Sequence, residues 1–106
     1  MKLINMTPHQ MNFTDGSIIE QSGYIATIEW KTEESEKDGL TLLKKFPVIS
    51  DIVFADICAQ LGADGFGIVS FPVVSACRGT ELEGRVGSVE MKSRTEKIAV
   101  ANTFCI

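Results

Sequence analysis

Histidine is nearly missing from this chain: His9 is the only one in 106 residues. Cysteine is little better represented, with Cys58, Cys77 and Cys105 at wide, unrelated spacings and no C-x-x-C pair. A zinc site therefore has no ligand set to draw on. An odd cysteine count gives no closed disulfide framework either, so three free thiols among apolar neighbours are expected, in a reducing compartment. No apolar run reaches the ~18 residues of a membrane span. The opening Met1–Pro8 carries one charge and only a short apolar stretch, unlike a secretory signal. The expectation is a cytoplasmic protein with no membrane partner. Ten lysines and arginines stand against fourteen acids, a net charge of −4, and general nucleic-acid binding is disfavoured without a basic excess.

Catalytic signatures are also wanting. No G-x-S-x-G, G-x-G-x-x-G or Walker-type loop can be drawn through the glycines. The carboxylates of Glu33–Asp38, and those of Glu81 and Glu83, lie in settings that read as solvated, where little shifts a pKa toward acid–base work. No enzyme, no cofactor and no metal are expected.

What is present is an ordinary globular composition, 44% hydrophobic and 23% charged, of a length suited to one domain over residues 1–106. Leu3–Asn5 reads as a short strand stopped near Pro8, and Gln10–Phe13 as extended. Asp15-Gly16 turns the chain into a returning strand, Ser17–Glu20. Tyr24–Trp30 alternates in polarity and is the clearest predicted strand. Lys31–Gly39, a charged run ending in Asp-Gly, reads as a solvated connection to a strand over Leu40–Phe46 that Pro47 closes. The period then changes: Ser50 or Asp51 caps a helix whose apolar positions run from Ile52 to Leu61, with Gly62 ending it. Phe66–Ser70 reads as a buried strand. Phe71–Arg78 reads as a short helix, with Pro72 near its start and Gly79 beyond it. Strands are expected again over Arg85–Glu90 and Lys97–Ala101. The fold class expected is α+β, an N-terminal antiparallel β-sheet with one or two packed α-helices.

Charge divides unevenly. Residues 1–64 carry ten acids and five lysines, whereas residues 65–106 carry four acids and five bases, including all three arginines. Arg78, Arg85 and Arg94 are suited to gripping phosphate oxygens. The helix start at Ser70-Phe71-Pro72 offers free N–H groups to an anion. His9, in a Pro-His turn, is a candidate ligand hydrogen bond, and Trp30 or Phe71 could stack on a base. The alternative is that the arginines only balance the acidic first part of the chain.

The stretch Ile4-Asn5-Met6-Thr7-Pro8-His9-Gln10-Met11-Asn12 resembles the I-N-L-T-P-H-x-x-N opening of a family of small phage and prophage proteins. Ile68-Val69-Ser70, with Val73–Ala76 and Arg78, is similar to that family's I-V-S-x-x-V-A-x-A stretch before an arginine. The chain departs from the family in lacking an Asp-Pro stretch after the arginine and in carrying the Ile52–Leu61 segment. In size and setting these proteins are similar to the anti-Thoeris sponges, phage proteins that sequester an immune signal as oligomers. The resemblance implies a counter-defence role in the cytoplasm of an infected bacterium. It further implies a homo-oligomer that binds a small phosphorylated signal, a cyclic nucleotide or cyclic ADP-ribose type, without chemistry. A second reading is a protein–protein inhibitor of a defence complex that presents the acidic 29–38 surface as a nucleic-acid mimic. A small hydrolase working through His9 is the third.

Overall fold

Both ends of the chain contribute to a single six-stranded sheet in the computed structural model, which describes residues 1–106. The strands are β1 (Lys2–Asn5), β2 (Met11–Phe13), β3 (Ile18–Ile19), β4 (Glu29–Lys37), β5 (Leu40–Val48), β6 (Gly65–Ile68), β7 (Val86–Ser93) and β8 (Ile98–Cys105). Two helices, α1 (Asp51–Leu61) and α2 (Phe71–Cys77), complete an α+β fold. The sheet runs β1-β6-β7-β8-β2-β3, while β4 and β5 form a separate two-stranded hairpin.

The expected N-terminal antiparallel sheet is thereby corrected. β1–β6, β6–β7 and β8–β2 pair parallel, and only β7–β8 and β2–β3 pair antiparallel. β6, α2 and β7 form a β-α-β crossover, the connection that a parallel pair requires. The outermost strands curl toward one another until Asn5 bridges Gln21 and the Ser22 N–H donates to the Asn5 carbonyl at 2.9 Å. The sheet is a near-barrel.

Alternation along the strands sorts apolar residues onto its two faces. Ile4, Met6 and Val86 face outward beneath the helices, where Ile57, Leu61, Val73, Val74, Cys77 and Leu82 cover them. Phe13, Ile68 and Ala99 face inward with Leu3, Val89, Met91 and Phe104. Gly87 sits where a side chain would press to 2.9 Å from the Phe66 ring and 3.0 Å from Phe104, so these aromatics can pack only over a bare backbone. Between Val89↔Phe104 and Met91↔Ala99 the β8 side carries extra residues, a bulge at which Asn102 takes a left-handed φ of 55°.

Helix α1 forms where the spacing predicts it. The Ser50 hydroxyl accepts from the Val53 N–H at 3.2 Å, Asp51 stands in the first turn, and Gly62 ends the helix at positive φ. Two expectations fail nearby. Of Tyr24–Trp30 only Glu29 and Trp30 lie in a strand. Residues 24–28 instead lie over the rim of the core, with Ala26 buried, Tyr24 and Ile28 packed against it and the Ala26 N–H donating to the Met6 carbonyl. The alternation is one of burial, without a ladder. Lys31–Gly39 is not a loop: it supplies most of β4, paired with β5 from Glu29↔Val48 to Lys37↔Leu40. Asp38 and Gly39 both have positive φ, 53° and 78°, the two-residue turn whose twist suits a hairpin. Pro47 does not close β5, which continues to Val48, because a hairpin edge tolerates a missing N–H.

Candidate functional site

The segment between β1 and β2 is a loop built by two buried polar side chains. Asn5 is 1% exposed, and its Oδ1 accepts from the Thr7 N–H at 3.1 Å and the Thr7 hydroxyl at 2.7 Å. Asn5 Nδ2 donates to the carbonyls of His9 at 2.7 Å and Ile19 at 3.2 Å. The His9 N–H donates back to Thr7 Oγ1 at 3.3 Å, and the Gln21 amide donates to the Pro8 carbonyl. Met6, fully buried, pins the loop beneath, and its N–H donates to the Ile68 carbonyl at 2.9 Å. No buried side-chain polar atom is left unpartnered. The I-N-M-T-P-H stretch is thus a rigid mount that holds the His9 backbone inward and leaves its side chain exposed.

That mount stands over a cavity of about 450 Å³ at the mouth of the near-barrel. Met11, Val89, Met91 and Ala99 form its apolar floor, continuous with the inward-facing core. His9, Gln10, Asn12 and Lys97 stand around the floor with Pro8. His9 precedes β2 and Lys97 precedes β8, and because these two strands run parallel side by side, both residues lie at the same end of the sheet. Lys97 adopts a left-handed φ of 57°, costly for a residue with a side chain, and contributes the one cationic residue of the lining beside His9. Gln10 and Asn12 bond to each other at 3.0 Å through their side-chain amides. The volume lies within the range of small-molecule sites, which combine an apolar lining with a few convergent polar groups.

The other sequence candidates are dispersed. Arg94 shares the β7–β8 turn with Lys97 but does not line the cavity. Arg85 lies at the opposite end of β7, roughly 13–20 Å along the strand from the cavity-lining Val89 and Met91. There its guanidinium donates to the carbonyls of Gly62 at 2.7 Å and Gly65 at 3.2 Å, tying the end of α1 to the start of β6. Arg78 donates to the Ile106 carbonyl at 3.2 Å and lies 5.4 Å above the Phe71 ring. Ser70 caps α2 without a side-chain bond, and α2 is only seven residues long. Trp30 belongs to the hairpin. Lys97, Gln10 and the methionine floor have no signal of their own in the sequence; of the residues around the cavity only His9 stands out there, from its Pro-His turn.

Elsewhere the chemistry is structural. Burial pushes the Cys77 thiol up to about 11, with Cys58 nearby adding to the effect, and all three cysteines are free. The Cys105 thiol donates to Glu90 at 3.3 Å, which holds it above its ordinary range. Burial, and Asp56 beside it, raise the Tyr24 phenol. No three histidine, cysteine or acidic side chains are grouped to hold a metal ion, and no helix is long and apolar enough to cross a membrane. Comparisons with known protein families, curated proteins and solved structures found no match.

Proposed function

We propose that this protein binds a small phosphorylated molecule at the barrel mouth and performs no chemistry on it. The observation that carries this reading is the preformed rim: a hydrogen-bonded loop presenting His9, a strained Lys97 beside it, and an apolar methionine floor between them. An aromatic or apolar body fits the floor, and a phosphate fits the cation. The bonds between His9 and Thr7 run through the His9 backbone and not its ring, which favours a grip over a nucleophile–base pair. The resemblance of the opening motif to small phage proteins supports sequestration of a cyclic nucleotide or cyclic ADP-ribose type signal in the cytoplasm of an infected bacterium.

The acidic-mimic reading is less well supported. Residues 29–48 carry five acids and four lysines, so both signs are mixed over the hairpin, with Glu33 opposite Lys44. Such a surface does not imitate a row of phosphates. The test is a thermal-shift panel of cyclic dinucleotides, cyclic trinucleotides and cyclic ADP-ribose isomers. A ligand held at about a hundred times its Kd adds roughly 2.7 kcal/mol and should raise Tm by on the order of 10 °C. No shift with any member of the panel would count against the reading.

A further inference from the structure

Beyond its base, where β5 meets α2, the β4–β5 hairpin is unsupported by the rest of the molecule. From Glu29 to Lys45 every residue is exposed, and only Phe46–Val48 at the base are half-buried. The arm stretches the molecule to 54 × 33 × 20 Å. A two-stranded hairpin alone is marginally stable in water and gains stability from a third layer or strand. Leu40 is 64% exposed and Leu42 44%, an apolar display that a free arm does not need.

Register sorts the arm into two unlike faces, because directly opposed residues share a face. One face carries Leu40, Leu42, Phe46 and Val48 along β5, with Glu33 opposite Lys44 in the middle. The other carries Trp30 beside Pro47 at the base, then Leu43 among Thr32, Lys45, Glu34 and Glu36. The first face carries an apolar row along β5, broken only by Lys44, and a row of mixed charge along β4, with Glu29, Lys31, Glu33 and Lys37. We infer that this face packs on the same face of a second copy of the chain, about a twofold axis running along the arm. That symmetry lays β5 of each copy over β4 of the other. Glu33 then meets the partner subunit's Lys44 while Lys44 meets the partner subunit's Glu33, and Leu40 and Phe46 cover the aliphatic stems of the partner's Lys37 and the partner's Lys31. A partner bearing one sign of charge opposes either Glu33 or Lys44; a second copy pairs both.

The area sets the strength. Nine-residue strands give a face roughly 30 Å by 10 Å, well below the ~800 Å² per partner of a standard stable interface. The dimer is therefore weak and concentration-dependent. This inference does not rest on the ligand reading.

Sedimentation equilibrium of the full chain from about 1 μM to about 1 mM tests it, because weak dimers dissociate across that range. The mass should rise from 11.6 kDa toward twice that value. Leu42→Glu, Glu33→Lys and Lys44→Glu should each hold the mass at one chain, while Leu43→Glu, on the opposite face, should leave the dimer intact. Mixing Glu33→Lys with Lys44→Glu should restore a dimer, since each charge then meets its opposite across the axis. A wild-type mass fixed at 11.6 kDa, an assembly larger than two chains, dissociation by Leu43→Glu, or no recovery on mixing would each overturn the inference.

Discussion

Asn5 does more for this molecule than any other polar residue. Its side chain satisfies two donors of Thr7 and two backbone carbonyls, at His9 and Ile19, in a place water does not reach. Asn5→Ala leaves several of those groups unpaired, and loss of about 2–3 kcal/mol is expected in urea unfolding. Asn5→Asp should cost a comparable amount, because a carboxylate cannot donate to the two carbonyls. Cys77 gives a second prediction at this scale. Its folded thiol titrates at about 11 against 9.0 for an ordinary thiol, so the fold favours the neutral form. The stabilisation is complete below pH 9 and is lost as pH rises toward 11, by about 2–3 kcal/mol. Tyr24, also raised, acts in the same direction. Urea midpoints under reducing conditions should fall over this window, and Cys77→Ala should flatten part of the fall.

Among the elements, α1 shows how one helix separates structural from surface positions. Ile57 is fully buried against the sheet, while Ile52, five residues earlier, is 76% exposed. Ile57→Asp should abolish the cooperative melt, since an unpaired charge in the core costs several kcal/mol, whereas Ile52→Asp should change stability by no more than about 0.5 kcal/mol. This helix was legible in the sequence because a 3.6-residue period, a serine cap and a terminal glycine agreed. The arm was not legible. Glu, Lys and Ser are poor strand formers, so Lys31–Lys37 reads as solvated loop, and what makes it a strand is the Asp38-Gly39 turn folding it onto Leu40–Val48. The parallel pairs β1–β6 and β2–β8 join segments far apart along the chain, which no local pattern reports. The same gap hid half of the site. His9 could be singled out from its turn, but Lys97 becomes its neighbour only through the β2–β8 pairing.

At the scale of the whole molecule, a near-barrel carries the helices on its outer face and the cavity at its mouth, and an arm projects from it. The arginines that the sequence offered as a phosphate grip are spread over the body, two of them bonded to backbone carbonyls that they hold in place. The central claim is that ligand affinity resides at the mouth. Calorimetric titration of the compound that gives the largest thermal shift, into wild type, Lys97→Ala, His9→Ala and Arg78→Ala, tests it most directly. A charge-assisted bond to phosphate contributes roughly 1.5–3 kcal/mol, so Lys97→Ala should weaken binding by about ten- to a hundredfold. His9→Ala should weaken it as well, and Arg78→Ala should leave it unchanged. Full affinity in Lys97→Ala together with its loss in Arg78→Ala would contradict the account.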